Sequence, residues 1–288
     1  MIRNLFYLSK PLTLLLASLT YLLGTSIPAY LGVPFHGTPF ILGFIIVLFA
    51  QLSMNFLSET FRPHNEPLVE NESPAKIETL RNNLLYVSIG LISASITLTY
   101  LLFTNYQIQL IPFFLLLLTT ILYSTPPFRF INRGFGELTL AVQIAYIIPS
   151  IGFVLQANET HRLLTILIIP LTALGLAYFL ILNFPTFADD EKYQRGTMLR
   201  LFTWQRAVPI HHSLIVFAYF IFALAPLFGF SFNLIWPAFL TLPFAIFQII
   251  QVRAIANGNA PNWRLLTSTA LIVFGLTTYF LTLTFWLR

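Results

Sequence analysis

Apolar runs near 11–33, 39–61, 84–104, 108–123, 135–156, 163–184, 209–230, 233–252 and 265–287 take up most of the chain, with no charge at their centres. A helix needs about 20 apolar residues to cross the hydrocarbon core of a bilayer, and most of these runs are that long. The remaining residues could not cover such runs in water. Only 9% of the 288 residues are charged, against roughly 25% in an ordinary soluble domain. The expected fold class is an all-α integral membrane protein of nine transmembrane helices, forming a single transmembrane domain over 1–288. The fourth run is short, and the count falls to eight if two neighbours are re-entrant. The first run extends to about Val33, too long for a signal-peptide core, so it reads as a span.

The chain is divided by charge. With the N-terminus inside, every Lys and Arg except Arg162 and Arg288 falls on the inner side, and of ten acids only Glu159 falls outside. This bias predicts a cytoplasmic N-terminus and, with nine spans, an outer C-terminus in a cell (plasma) membrane. The pI of about 9.6 then reflects membrane orientation and anionic partners, not nucleic acid. The absence of cysteine excludes disulfides, thiolate metal sites and cysteine nucleophiles. Polar chemistry gathered at one interface points to a ligand with a charged head and an apolar body.

Two helix ends repeat a pattern. The second run ends QLSMNFLSETFRPHNEP and the sixth ends LNFPTFADDEKYQRGTM, each with an Asn in its last turns, then acids, then bases. Asn55 and Glu59 are spaced i,i+4, and Asn183, Thr186 and Asp190 fall at i, i+3 and i+7, so each set shares a helical face. Oxygen ligands of this kind suit Mg²⁺, which is commonly held by one or two carboxylates plus substrate phosphates. An ordinary polar helix end gives the same spacing. A third segment, YSTPPFRFINRGFGEL, joins a Pro126-Pro127 turn to Arg129, Arg133, Gly134, Gly136 and Glu137, a combination suited to a loop that faces phosphate.

Together these segments resemble the UbiA superfamily of intramembrane prenyltransferases. Tyr123 to Leu138 is similar to that family's Tyr-x-x-Pro-Pro loop followed by Arg-Gly-x-Gly-Glu. Asn55 with Glu59 stands where its first Asp-rich motif does, and Asn183 to Thr197 where its second does. The resemblance implies nine helices around a central cavity capped by the acid-bearing loops. It implies Mg²⁺-assisted transfer of an isoprenoid chain from a polyprenyl diphosphate to a lipophilic or aromatic acceptor, such as a quinone precursor. The catalytic set it implies is Asn55, Glu59, Asn183, Asp190 and Tyr123, with Glu59, Asp190, Asn55 and Asn183 toward the metal. The phosphate set is Arg129, Arg133, Lys192 and Arg195.

The motifs are degenerate. Glu59 and Pro63 stand at the two Asp positions of the first motif, and Thr186 replaces the first Asp of the second. Glu66, His64 and Glu191 are the nearby residues able to compensate. The rival expectation is therefore an isoprenoid-binding membrane protein of the same fold that no longer catalyses transfer. A small-solute transporter fits less well, because the outer loops are nearly bare of polar groups.

Overall fold

The computed structural model describes residues 2–63, 65, 66, 68 and 73–288. His64, Glu70 and Glu72 lie outside them. A short helix α1 (Ile2–Leu8) leads into α2 (Pro11–Tyr30). Then follow α3 (Gly37–Thr60), α4 (Pro74–Tyr106), the shorter α5 (Ile111–Ser124), α6 (Gly136–Ala157), α7 (Arg162–Leu182), a six-residue α8 (Phe187–Lys192), α9 (Met198–Phe228), α10 (Phe232–Ala256) and α11 (Trp263–Trp286). Eight of these are long and apolar enough to cross a membrane. At about 1.5 Å per residue the fourteen-residue α5 covers only about 21 Å, less than the roughly 30 Å of the core. The architecture is an all-helical multi-pass membrane bundle, close to the nine spans expected.

Two helices start earlier than the apolar runs do. The third begins at Pro74 and not near 84, and the seventh at Met198 and not near 209. Residues 74–83 (PAKIETLRNN) include Ala, Lys, Glu, Leu and Arg. Such residues favour helix without being apolar, so hydropathy marks the lipid-facing part and misses the extension. In α9 the extension is interrupted at Thr203, whose φ of 63° breaks the helical path. In α6 a wide turn over Gln143–Ile147 precedes Pro149, which has no N–H to donate.

The bundle is closed by α2 against α6, α3 against α4, α7 against α9 and α11 against α2. In lipid there is little hydrophobic drive between helices, so close approach over small residues does the holding. The α2–α6 crossing shows this. A methyl group built on Gly24 would stand 2.0 Å from the Pro149 carbonyl oxygen, and one on Gly152 would stand 2.6 Å from the carbonyl oxygen of Tyr21. Beneath the charged end, Gln143 Nε2 donates to Gln51 Oε1 at 3.1 Å, and Thr119 donates to Gln143 Oε1 at 2.6 Å. Both glutamines are fully buried, and they act as interhelical fasteners. His211 is likewise enclosed, with Nε2 3.1 Å from Gln248 Nε2, while His212 lies only partly buried. Among the described residues this His pair is part of no metal-binding group.

Gly24→Ala should lower the thermal unfolding midpoint in detergent, at a cost of about 1–3 kcal/mol for overpacking. Gly90→Ala, where an added methyl meets open space, should not. Equal midpoints for the two variants would contradict the tight α2–α6 crossing.

Candidate anion-binding site at the charged end

The two corners meet. The end of α3 carries Glu59 and leads to Arg62 and Glu66; the segment after α7 carries Asp190, Arg195 and Thr197. These residues, with Lys10, Tyr123, Arg129, Glu137, Asn183 and Thr186, line one cavity of about 380 Å³. Its other walls include Ile131, Leu140, Phe179 and Leu182. Leu140 lies about one helical turn inside Glu137, and Phe179 about one turn inside Asn183, so the charged groups form the mouth and the apolar ones the interior.

The loop geometry that brings the corners together is readable residue by residue. Arg81 of α4 donates from Nη1 to the carbonyls of Thr60 (3.1 Å) and Arg62 (2.5 Å). It satisfies carbonyl groups left over at the end of α3 and so fixes the backbone from which Arg62 projects. On the other side, the Gly134 N–H donates to the Gly196 carbonyl at 2.5 Å. A methyl on Gly196 would stand 1.9 Å from the Asn132 carbonyl oxygen, so only glycine permits this contact between loops. Glu137, at the start of α6, accepts at Oε1 from the Met198 N–H at 2.8 Å and from Asn183 Nδ2. It thus ties the beginnings of α6 and α9 to the end of α7.

The charged side chains form a continuous alternating chain across the mouth. Lys10 Nζ lies 2.9 Å from Glu59 Oε1, and Arg62 Nη2 closes on Glu59 Oε2. Arg62 Nη1 lies 3.0 Å from Glu66 Oε1, Arg195 Nη2 lies 2.5 Å from the same oxygen, and Arg195 Nη1 lies 2.9 Å from Asp190 Oδ1. Thr197 completes the set by donating to Asp190 Oδ2 at 3.1 Å. The acids are almost wholly enclosed, at 2% exposure for Glu59, 5% for Glu66 and 1% for Asp190. Buried charges of this kind persist only when paired and hydrogen-bonded. Burial works to lower the Arg195 value, but Glu66 and Asp190 outweigh it and raise it, so Arg195 stays cationic. Burial pushes the Asp190 carboxyl up against the opposing pull of Arg195 and Thr197. Arg129 is lowered by burial, with Glu66 and Glu59 opposing, and its buried Nε has no hydrogen-bond partner among the described residues.

Of the residues expected from the sequence, Glu59, Asn183, Asp190, Tyr123, Arg129 and Arg195 line the cavity. Asn55 does not. Its Nδ2 donates to the Ser9 carbonyl at 2.7 Å and to Thr13 Oγ1 at 2.9 Å, and its Oδ1 accepts from Gln51 at 3.3 Å. It pins α3 to the start of α2, which packs there and shields it from the cavity. Arg133 and Lys192 are exposed and lie outside the lining; Arg133 donates to the Pro127 carbonyl at 2.7 Å, and Lys192 stands over the Tyr193 ring. The sequence pattern does not mark Lys10 or Arg62 as site residues, and it marks Glu137 only as part of the Pro-Pro loop and Glu66 only as a substitute. Lys10 looks like any basic residue before a span, and its pairing with Glu59 bridges 49 positions that no periodicity connects.

The donor set can be tested against the Mg²⁺ that the resemblance implies. Glu59 meets Lys10 and Arg62, Asp190 meets Arg195 and Thr197, and Glu66 is shared by two guanidiniums. Asn55 is turned away. Among the described residues no group of three or more His, Asp or Glu is placed to hold a metal ion. Two carboxylate oxygens of the mouth, Glu59 Oε2 and Glu137 Oε2, are buried without a hydrogen-bond partner; the first is ion-paired with Arg62, and the oxygen that is left does not make a coordination shell. In this arrangement the described residues do not fit a divalent cation.

Fold and site define an intramembrane helical bundle with one ion-paired mouth, and that architecture is the UbiA fold. The chain superimposes on a UbiA homolog from Archaeoglobus fulgidus bound to GPP and Mg²⁺ with a TM-score of 0.70, at 14% identity over 99% of this chain and 100% of that one. A structure of digeranylgeranylglyceryl phosphate synthase gives 0.64, at 14% identity over 99% and 97%. The apo UbiA homolog from Aeropyrum pernix K1 gives 0.57, at 13% identity over 91% and 95%. No family profile and no curated protein sequence matches the chain.

The ion pair between Asp190 and Arg195 is open to a double-mutant cycle. Asp190→Asn and Arg195→Gln should each destabilise the protein in denaturation experiments, and the double variant should lose less than the sum by about 1 kcal/mol or more. Strict additivity would contradict the pairing.

Proposed function

We propose that this protein is a membrane prenyltransferase of the UbiA superfamily. It would transfer an isoprenoid chain from its diphosphate to a lipophilic or aromatic acceptor. The observation that carries the proposal is the meeting of both degenerate corners and the Pro-Pro loop at one mouth of paired acidic and basic side chains above an apolar interior, in the fold of proteins that include one bound to GPP. The charge bias of the sequence supports a cytoplasmic position for that mouth.

The chemistry follows from the walls. Lys10, Arg129 and Arg195 are placed to hold diphosphate oxygens, guanidinium groups doing so in bidentate fashion. The C1–O bond of the donor breaks, and its electron pair leaves with pyrophosphate, whose growing charge these cations stabilise. The allylic cation is left among Leu140, Phe179, Leu182 and Tyr123, where water is scarce and ring faces stabilise positive charge. The acceptor's nucleophile bonds to C1 and loses a proton. Asn183 and Glu137 hold the wall from which these groups act.

A second reading is binding without turnover. It is favoured by the engagement of Glu59, Glu66 and Asp190 with basic side chains, which leaves few free oxygens. The test is incubation of the purified protein with radiolabelled geranyl diphosphate and a panel of phenolic, quinol and lipid-alcohol acceptors. Labelled lipid product and released pyrophosphate are expected, and Arg195→Ala should cut the rate about a hundredfold, as removal of a group stabilising the leaving charge does. Tight binding with no product from any acceptor would replace transfer by the second reading.

A further inference from the structure

We infer that Glu66 is an internal stand-in for the substrate's diphosphate, and that Arg62 joins Arg195 in gripping that diphosphate once Glu66 gives way. The inference rests on the prenyl-diphosphate reading above and adds residues to it. Two guanidiniums converge on the single oxygen Glu66 Oε1, at 3.0 Å from Arg62 and 2.5 Å from Arg195. They come from opposite corners of the mouth, and like charges so close repel unless an anion lies between them. A phosphate oxygen satisfies the same geometry, because the guanidinium fork accepts carboxylate and phosphate alike.

The exchange is local. Glu66, Arg62 and Arg195 all line the cavity, so an incoming diphosphate reaches them from inside it. Leu68, two residues beyond Glu66, is packed in a buried cluster with Leu8, Phe56 and Leu84. Turning of the Glu66 side chain is sufficient for the exchange. A diphosphate in its place brings at least two negative charges where one stood, and keeps the corners bridged. The two arginines then supply charge compensation to the diphosphate directly.

The experiment is calorimetric titration of the detergent-purified full chain with geranyl diphosphate and with inorganic pyrophosphate, in chelator and again with Mg²⁺. The wild type should bind in chelator. Glu66→Gln should bind pyrophosphate about tenfold more tightly, the change expected from removing a competing charged hydrogen-bond partner. Arg62→Gln and Arg195→Gln should each bind about tenfold more weakly. A gain in affinity cannot come from misfolding, so Glu66→Gln is the decisive arm. Unchanged or weaker binding by Glu66→Gln, or wild-type binding only when Mg²⁺ is present, overturns the inference and leaves the prenyl-diphosphate reading standing. Absence of wild-type binding to either probe under both conditions overturns that reading itself.

Discussion

The mouth of the cavity is bridged by opposite charges, with the acids buried and the bases partly exposed. Lys10, Glu59, Arg62, Glu66, Arg195 and Asp190 contact one another in sequence, and the acids among them are nearly inaccessible. Removing one member would leave a neighbour as an uncompensated buried charge, which is far more costly than losing a surface pair. This makes the chain of ion pairs act as a unit, and it joins parts of the sequence more than a hundred residues apart. The helices supply rigid walls, but the corners are brought to one place by charge.

The same arrangement accounts for the degeneracy of the motifs. Pro63 and Thr186 stand where carboxylates are expected in the superfamily, and basic side chains approach the acids that remain. Positive charge at the mouth is therefore carried by side chains attached to the fold. A guanidinium is directional and held in place by its stem, and Arg81 fixes the backbone behind Arg62 by its contacts with the carbonyls of Thr60 and Arg62.

Much of the architecture could be read from the chain because the bilayer leaves few choices. Apolar runs of spanning length become helices, and the charge bias separates the two faces. Glu59 and Asp190 reach the cavity because an acid at a membrane helix end is retained where it has partners. Asn55 shares a helical face with Glu59, as i,i+4 spacing requires, yet one turn deeper that face meets Ser9 and Thr13 and not the cavity. Periodicity gives the face of a helix and not what lies opposite it. Arg133 and Lys192 looked equivalent to Arg129 and Arg195, and only loop geometry separates those that point in from those that do not. Glu66 lies in a loop with no periodic signal, and its two arginine partners are four and 129 positions away, so nothing local marks it.

The chemistry proposed for the mouth turns on where the diphosphate sits. A structure of the full chain in lipid nanodiscs with a non-reactive prenyl thiodiphosphate tests it most directly. The diphosphate is predicted between Arg62, Arg129 and Arg195, with its prenyl chain running past Leu140 and Phe179 and the Glu66 carboxylate turned away from both arginines. A diphosphate bound elsewhere, or one bound with the Arg62–Glu66–Arg195 bridge intact, would contradict the account.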